Sequence, residues 1–270
     1  MADSELAVTA PELRARCLRV LREVLAMTDN FWAAMHAAEG LTQLGHADEV
    51  VSALVPRLLA EPEEKRKCGL ARELARAGDT ARIGVLTAAL ADRNGTARVQ
   101  AAESLFKLGV PGDRGALLSA LDDGDVVLGL MAAAALIRLG ESMLLSRVRA
   151  RLAAEDPVAR RIAVWVVGQL GDAEDLPTLA SMRPHEAEPL AGCFLVDAMA
   201  RLGSADALRA VAGNLAEDDQ TIRAYAAQTL GEVGQKIHLP ALAERLMDPD
   251  SDVRARAAHS AIAISLRELP

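Results

Sequence analysis

The chain has 270 residues, of which 51% are hydrophobic but only 2% aromatic, so Ala, Leu and Val must supply most of its core. It carries 30 basic and 38 acidic side chains, a net charge of −8, without any basic run, which disfavours binding to nucleic acid phosphates. Three scattered cysteines, an acidic N-terminus without a signal-peptide core, and no run of about 18 apolar residues indicate a soluble, cytoplasmic protein with reduced thiols and no membrane partner.

A short phrase with a fixed last residue recurs along the chain. The closing residues are, in chain order, Gly45, Gly78, Gly109, Gly140, Gly171, Gly203, Gly234 and Ser265. The steps between them are 31 residues long, apart from a first step of 33 and one step of 32. A fixed period of roughly 20–50 residues is typical of a stacked repeat protein. We therefore expect a tail at residues 1–10 and one repeat domain at 11–270, in which each repeat contacts only its neighbours.

Each period predicts a pair of helices. The residues that precede a closing glycine show one apolar stripe with helical spacing, as at Ile222, Ala226, Ala227, Leu230 and Val233. The glycine suits the left-handed residue that commonly ends a helix. A small or acidic turn follows, as at 172–174 or 204–206, and offers an N-cap for the next helix. The sequence predicts eight pairs, from near Pro11 to near Leu269, and hence an all-α fold.

The repeated phrase itself resembles a known family. It reads Arg223-x-x-Ala-Ala-x-x-Leu-Gly-x-Val-Gly234 in one repeat, Arg98-x-x-Ala-Ala-x-x-Leu-x-x-Leu-Gly109 in another, and begins again at Val253-Arg254. This pattern is similar to that of HEAT-like repeats, in the short-repeat branch first noted in phycobilin lyases. The resemblance implies a right-handed α-solenoid of about eight helix pairs. Such solenoids serve as scaffolds, lyase subunits, hydroxylases and base-excision enzymes, so the resemblance leaves the activity open.

In this family the glycine-ended helices line a concave groove. Positions nine and six before each closing residue share one helix face, away from the buried stripe. Position six holds Glu39, Arg72, Glu103, Ala134, Trp165, Asp197, Gln228 and His259. Position nine holds His36, Gly69, Gln100, Met131, Ile162, Phe194, Tyr225 and Arg256. We expect these two rows to form ladders of neighbouring side chains along the groove.

The N-terminal part of the two rows is polar. It contains His36, Glu39, Arg72 and Glu103. The alternation of Glu39, Arg72 and Glu103 predicts a ladder of ion pairs, or else a solvated face whose salt bridges contribute little.

The C-terminal part of the rows gives the stronger candidate site. Three of the chain's six aromatic residues, Trp165, Phe194 and Tyr225, fall here in successive repeats. The other candidate binding residues are Met131, Asp197, Gln228, Arg256 and His259. Aromatic walls with a few polar groups are typical of ligand pockets, and Trp, Tyr and Arg anchor protein interfaces. Three interpretations stay open: a peptide or protein groove, a small-molecule pocket, or aromatics that only fill space between helices.

Other chemistry has weaker support. His36 and Glu39 could place two metal ligands on one helical face, but a site needs three or four, so we predict no metal and no cofactor. The related deoxyhypusine hydroxylases carry repeated His-Glu pairs for iron, whereas the only such pair here, at 185–186, lies in a predicted turn. Cys193 is either a nucleophile or, more in keeping with its small size, a buried thiol. Trp165 and Asp197 resemble loosely the nucleotide-holding residues of alkylpurine glycosylases, whose groove is basic.

The sequence therefore predicts a binding or scaffold protein that holds a protein or peptide in its groove. The alternative is an enzyme or carrier for a small aromatic or amphipathic molecule, with a pocket around Trp165, Phe194, Asp197 and Tyr225. Asp197 or His259 would then be the acid–base candidate. An enclosed cavity with a strongly perturbed Asp197 or His259 would favour the enzyme, and a long open groove with an apolar floor would favour the binding protein.

Overall fold

A computed structural model describes residues 10–267 of the chain. Within this range the regular secondary structure consists of sixteen α-helices, together with short 3₁₀ turns, and contains no strand. The helices are α1 (Ala10–Ala26), α2 (Phe31–Gln43), α3 (Ala47–Ala60), α4 (Glu64–Arg76), α5 (Ile83–Ala91), α6 (Arg98–Leu108), α7 (Arg114–Ala120), α8 (Val126–Arg138), α9 (Leu145–Ala150), α10 (Pro157–Leu170), α11 (Leu176–Met182), α12 (Pro189–Arg201), α13 (Ala205–Asn214), α14 (Gln220–Val233), α15 (Leu239–Arg245) and α16 (Ser251–Arg267).

In chain order, the sixteen helices of residues 10–267 make up eight successive pairs, from α1 and α2 to α15 and α16. The all-α fold and the number of pairs predicted from the 31-residue period are thus confirmed. Of the predicted tail, residues 1–9 lie outside the described residues, whereas Ala10 already begins α1. The predicted end near Leu269 also lies outside them.

The chain divides into two compact units. We call residues 47–187 the middle unit, and the chain up to His46 together with the chain from Glu188 onwards the terminal unit. In the middle unit the second helices of successive pairs, α4, α6, α8 and α10, pack side by side. Helices α3 and α7 each pack against one of them, and α5 and α9 each pack against two. In the terminal unit α12, α14 and α16 pack in the same way. The core of both units is made mainly of Ala, Leu and Val side chains.

The terminal unit joins the two ends of the sequence. Helix α16, from the last repeat, packs against both α1 and α2, from the first repeat. The amide of Asn30, which caps α2, donates a hydrogen bond to the hydroxyl of Ser251 at 3.0 Å. The expectation that each repeat contacts only its neighbours in sequence is therefore wrong for this unit.

The closing glycines end their helices in two ways. Five of them, Gly45, Gly78, Gly109, Gly140 and Gly203, have positive φ between 69° and 111°, as predicted. Gly171 and Gly234 have φ of −81° and −74°, so the left-handed prediction is wrong there. Glycine is still required at position 171, because the backbone there packs so tightly that a Cβ would lie 2.6 Å from the carbonyl oxygen of Val167. None of the helices within residues 10–267 is long and apolar enough to cross a bilayer.

Candidate functional site

A cavity of about 170 Å³ opens in the terminal unit between α2, α14 and α16. Its walls are His36, Glu39, Gln43, Gln228, Gly231, Glu232, Arg256, His259, Ser260 and Ala263. Half of these residues belong to the two rows predicted from the sequence. His36 and Glu39 come from the polar N-terminal part, and Gln228, Arg256 and His259 from the C-terminal part. They line one cavity because α16 packs against α2.

His36 has both ring nitrogens engaged in this cavity. Its Nδ1 lies 2.5 Å from Oδ1 of Asp252, and its Nε2 lies 3.2 Å from Nη2 of Arg256. A proton on Nδ1 lets the ring donate a hydrogen bond to Asp252. Burial raises the pKa of Asp252, but the charges and hydrogen bonds of His36 and Arg256 outweigh it and hold that pKa well below its usual value. The hydrogen bonds of His36 thus link α2 of the first repeat to α16 of the last repeat.

Arg256 is the centre of the polar network. Its Nε donates to Oδ2 of Asp252 at 3.0 Å, and its Nη1 donates to the side-chain oxygen of Gln228. The guanidinium carbon lies 5.0 Å from the ring centre of Tyr225, within the range of a cation–π contact. The ring of Tyr225 lies 4.8 Å from that of Phe194. The ring of Tyr225 therefore packs against the Arg256 guanidinium, and the ring of Phe194 packs against Tyr225.

The remaining walls are also held by internal contacts. Nε2 of His259 lies 2.8 Å from the side-chain oxygen of Gln43, which links α16 to α2 again. Glu232 accepts from Nε of Arg201 at 2.6 Å and from Gln228 at 3.1 Å. Arg256 and Glu232, the charged groups from α16 and α14, are thus each paired with an opposite charge of the protein. The polar groups in the walls of this cavity are therefore held in place by the protein itself.

Asp197 lies in the core of the terminal unit, with 3% of the residue exposed, so the prediction that it faces a groove is wrong. Burial raises its pKa to about 6, although Arg201 acts to lower it. Its Oδ2 lies 3.7 Å from the thiol of Cys193, and its Oδ1 has no hydrogen-bond partner among the described residues. Burial also raises the pKa of the Cys193 thiol, and the charge of Asp197 adds to this effect. Cys193 is therefore a buried thiol whose thiolate form is disfavoured.

Trp165 belongs to the middle unit and pairs with a residue that the sequence analysis did not single out. Its ring lies 5.2 Å from that of Phe106 at an interplanar angle of 71°, an edge-on contact. The guanidinium carbon of Arg138 lies 5.4 Å from the same Phe106 ring. Met131 and Ala134, on the intervening helix α8, are buried. Trp165 is half-buried, and the prediction that Met131 lines a groove is wrong.

The predicted ion-pair ladder takes a different form in the middle unit. Arg72 is 1% exposed, so the prediction that it lies on an accessible face is wrong. Its Nε contacts Oε1 of its neighbour Glu73 at 2.6 Å. Burial raises the pKa of Glu103, but Lys107 and Arg72 outweigh it and bring that pKa down to about 2. The contact of Glu103 with Nζ of Lys107, at 2.7 Å, lies within one helix.

Several cavity residues were missed by the sequence reasoning. Gln43, Glu232 and Ala263 all lie two residues before a closing residue, about one helical turn beyond the position-six row. Residues three and four apart share a helix face, so this third row could have been found by the same counting. Asp252 could not, because its role depends on His36, which is 216 residues away in sequence.

Comparison with known proteins bears directly on the repeats. Residues 186–263, which form α12 to most of α16, match the family model of HEAT repeats. Residues 186–263 are therefore HEAT repeats. The resemblance inferred from the repeated Arg, Ala-Ala and Leu-Gly phrase is thereby confirmed. Helix pairs with the same period occupy the rest of the described chain.

A solved structure is similar over almost the full length. Human deoxyhypusine hydroxylase, in complex with glycerol, matches 95% of this chain and 98% of its own, with 20% sequence identity and a TM-score of 0.44. A search of curated proteins gave no match. Over residues 10–267, no group of three or more His, Cys, Asp or Glu side chains is placed to share a metal ion.

Proposed function

We propose that this HEAT-repeat protein binds a protein or peptide partner through the cavity between α2, α14 and α16, and that it performs no chemistry on that partner. The observation that carries the proposal is the convergence of His36, Glu39, Gln228, Arg256 and His259 on one cavity. These residues come from two distant parts of the sequence, 36–39 and 228–259, and the fold brings them together.

The size of the cavity supports a macromolecular partner. A volume of about 170 Å³ is far more than the roughly 10–15 Å³ that one water needs. It is also smaller than the roughly 300–1,000 Å³ of pockets that enclose a whole small molecule. A cavity between these limits suits one side chain of a larger partner, with the rest of that partner lying over the neighbouring helices.

The chemistry of the walls supports recognition by hydrogen bonds. The amides of Gln43 and Gln228 and the hydroxyl of Ser260 surround small residues, Gly231 and Ala263. Because these groups are held by contacts within the protein, little ordering is needed when a partner binds. The mixed charges would contribute specificity more than affinity.

The raised pKa of Asp197 is the observation that favours the alternative, an enzyme or small-molecule carrier. Its carboxylate is buried beside Cys193, however, and it does not line the cavity. The ring nitrogens of His36 are likewise occupied by Asp252 and Arg256. These contacts support binding without proton transfer.

Peptide selection followed by affinity measurement tests the proposal. Peptides selected from a random library on the wild-type chain would be titrated by fluorescence anisotropy against two variants. Ala263→Phe fills the cavity and should weaken binding at least about tenfold, since one displaced side chain contributes about 1.4 kcal/mol or more. Ala216→Phe places the same ring at an exposed position that does not line the cavity, and should bind as wild type. Equal affinity of wild type and Ala263→Phe would refute the assignment of this cavity.

A further inference from the structure

Arginine stands eleven residues before the closing residue of four repeats, as Arg98, Arg160, Arg223 and Arg254, and all but Arg98 make the same pair of backbone contacts. In three repeats its Nη1 donates to two consecutive carbonyl oxygens of the turn that precedes the helix. The pairs are Arg160 to Ala154 and Glu155 at 2.8 and 3.3 Å, Arg223 to Glu217 and Asp218 at 2.9 and 2.8 Å, and Arg254 to Asp248 and Pro249 at 2.7 and 3.0 Å. Two adjacent carbonyls of this turn therefore form a guanidinium acceptor.

The same turn is present in the fourth repeat, but the arginine is not. Asp125 caps α8 by accepting from the backbone N–H groups of Val127 and Leu128 at 2.9 and 3.1 Å. Asp156 and Asp219 cap α10 and α14 in the same way in the repeats that carry the arginine. The residue at the arginine position in α8 is Gly129. The carbonyl pair of residues 123 and 124 thus corresponds to the acceptor pairs of the other repeats.

A cavity of about 70 Å³ lies where the missing side chain would be. Gly129, Asp123 and Val126 line it, together with Arg147 and Arg151 from the following repeat. This volume exceeds several times the roughly 10–15 Å³ that one water requires. The cavity is therefore large enough for a small planar group.

The two arginines in the wall do not exclude a third guanidinium. Arg147 is paired with Asp122 at 2.8 Å and donates to the carbonyl of Leu121 at 3.4 Å. In the seventh repeat the arginine that corresponds to Arg151, eleven residues after the closing glycine, is Arg245, and it lies beside an occupied carbonyl pair. There Arg245 donates to the carbonyl of Leu215 at 3.3 Å, while Arg223 holds the carbonyl pair beside it.

The carbonyl pair also suffices without a carboxylate from the next repeat. Arg160 and Arg223 each have such a carboxylate, from Glu186 and Asp248 respectively. After the fourth repeat the residue that corresponds to Asp248 is Ala154, and the residue that corresponds to Glu186 is Glu155. Arg254 nevertheless makes both carbonyl contacts, and its further partner is the sulfur of Met27 at 4.0 Å.

We propose that the cavity beside Gly129 binds the guanidinium group of an arginine side chain supplied by a partner protein. The planar fork of arginine matches two neighbouring carbonyl oxygens, whereas the ammonium of lysine is a compact point charge without that geometry. The site lies in the middle unit and is independent of the cavity in the terminal unit.

The experiment compares two probes by NMR titration of the ¹⁵N-labelled chain at matched ionic strength. Nα-acetyl-arginine amide should shift the amide signals of residues 123–130 saturably, and Nα-acetyl-lysine amide should bind at least about fivefold more weakly. Gly129→Arg supplies its own guanidinium and should reduce binding of the arginine probe at least tenfold. Gly84→Arg adds the same charge at an exposed glycine of α5, with no described atom within 4 Å of a Cβ, and should leave binding unchanged.

Three outcomes would overturn the proposal: no saturable shift with the arginine probe, equal binding of the lysine probe, or unchanged binding in a folded Gly129→Arg chain. The comparison of the two probes uses the wild-type protein, so it decides the question even where the variant does not fold.

Discussion

Burial controls the charge of Asp197. The carboxylate lies in the core of the terminal unit, next to the Cys193 thiol and close to Arg201, and its pKa is raised to about 6. In an unfolded chain the same group titrates near 3.9. A raised folded-state pKa contributes stability below the unfolded pKa, and that contribution is lost as the pH rises through the folded pKa. A shift of about two pKa units corresponds to roughly 3 kcal/mol.

The variant Asp197→Asn isolates this contribution. Wild type should lose stability relative to the variant as the pH rises from about 4 to 6, because only wild type must keep a buried carboxylate ionised. The difference should be small near pH 4 and reach about 2–3 kcal/mol in favour of the variant at pH 7. Urea unfolding of both proteins at pH 4, 5, 6 and 7 measures it. Parallel pH profiles would mean that Asp197 has an ordinary pKa in the fold.

At the same scale, the sequence predicted the helix face of a residue better than its exposure. His36 and Arg256 lie at the cavity as the position counting suggested, yet Arg72 and Asp197 occupy the same rows and are buried. Counting back from a closing residue tells on which side of the helix a side chain lies. Exposure depends also on the size of the side chains on the adjacent helices, which differs from repeat to repeat.

At the scale of secondary-structure elements, the close packing of α14 on α16 depends on one small residue, Gly231. A Cβ at Gly231 would lie 2.7 Å from Cβ and 3.0 Å from Cα of Ser260, distances that require the two helices to move apart. Gly192, in the interior of α12, has no described atom within 4 Å of a Cβ. The two glycines therefore differ in packing although both lie in helices of the terminal unit.

Substitution by alanine should have opposite effects at these two positions. Gly192→Ala should raise stability by about 0.5–1 kcal/mol, because alanine has the higher helix propensity. Gly231→Ala gains the same propensity but should lower stability by about 1–3 kcal/mol, because the added methyl overpacks the α14–α16 contact. Chemical unfolding measures both values. Stabilisation by Gly231→Ala would show that the helices separate without cost and that their close approach is not required.

For the whole molecule, the sequence predicted contacts within repeats and missed contacts between repeats that are distant in sequence. The period, the helix pairs and most closing glycines follow from contacts within one repeat or between neighbours. The packing of α16 on α1 and α2 joins the last repeat to the first within the terminal unit. No phrase of the sequence specifies that packing, so the contact of His36 with Asp252 could not be derived from it.

The packing of the first repeat on the last makes a prediction about local stability. Leu21 of α1 is fully buried in the terminal unit, and Leu54 of α3 is fully buried in the middle unit. Truncation of either leucine to alanine should cost about 2–5 kcal/mol. Because α1 packs on α16, Leu21→Ala should speed hydrogen exchange in α16, more than 200 residues away, and leave α6 and α8 protected.

Leu54→Ala is the matched control, since it removes the same group from an equally buried site of the other unit. It should speed exchange in α4 and leave α16 protected, because α3 packs on α4. Hydrogen-exchange mass spectrometry of both variants separates the possibilities. If Leu21→Ala exposed the middle helices as much as α16, the two units would unfold as one cooperative body; if it left α16 unchanged, α1 would not be part of the terminal core.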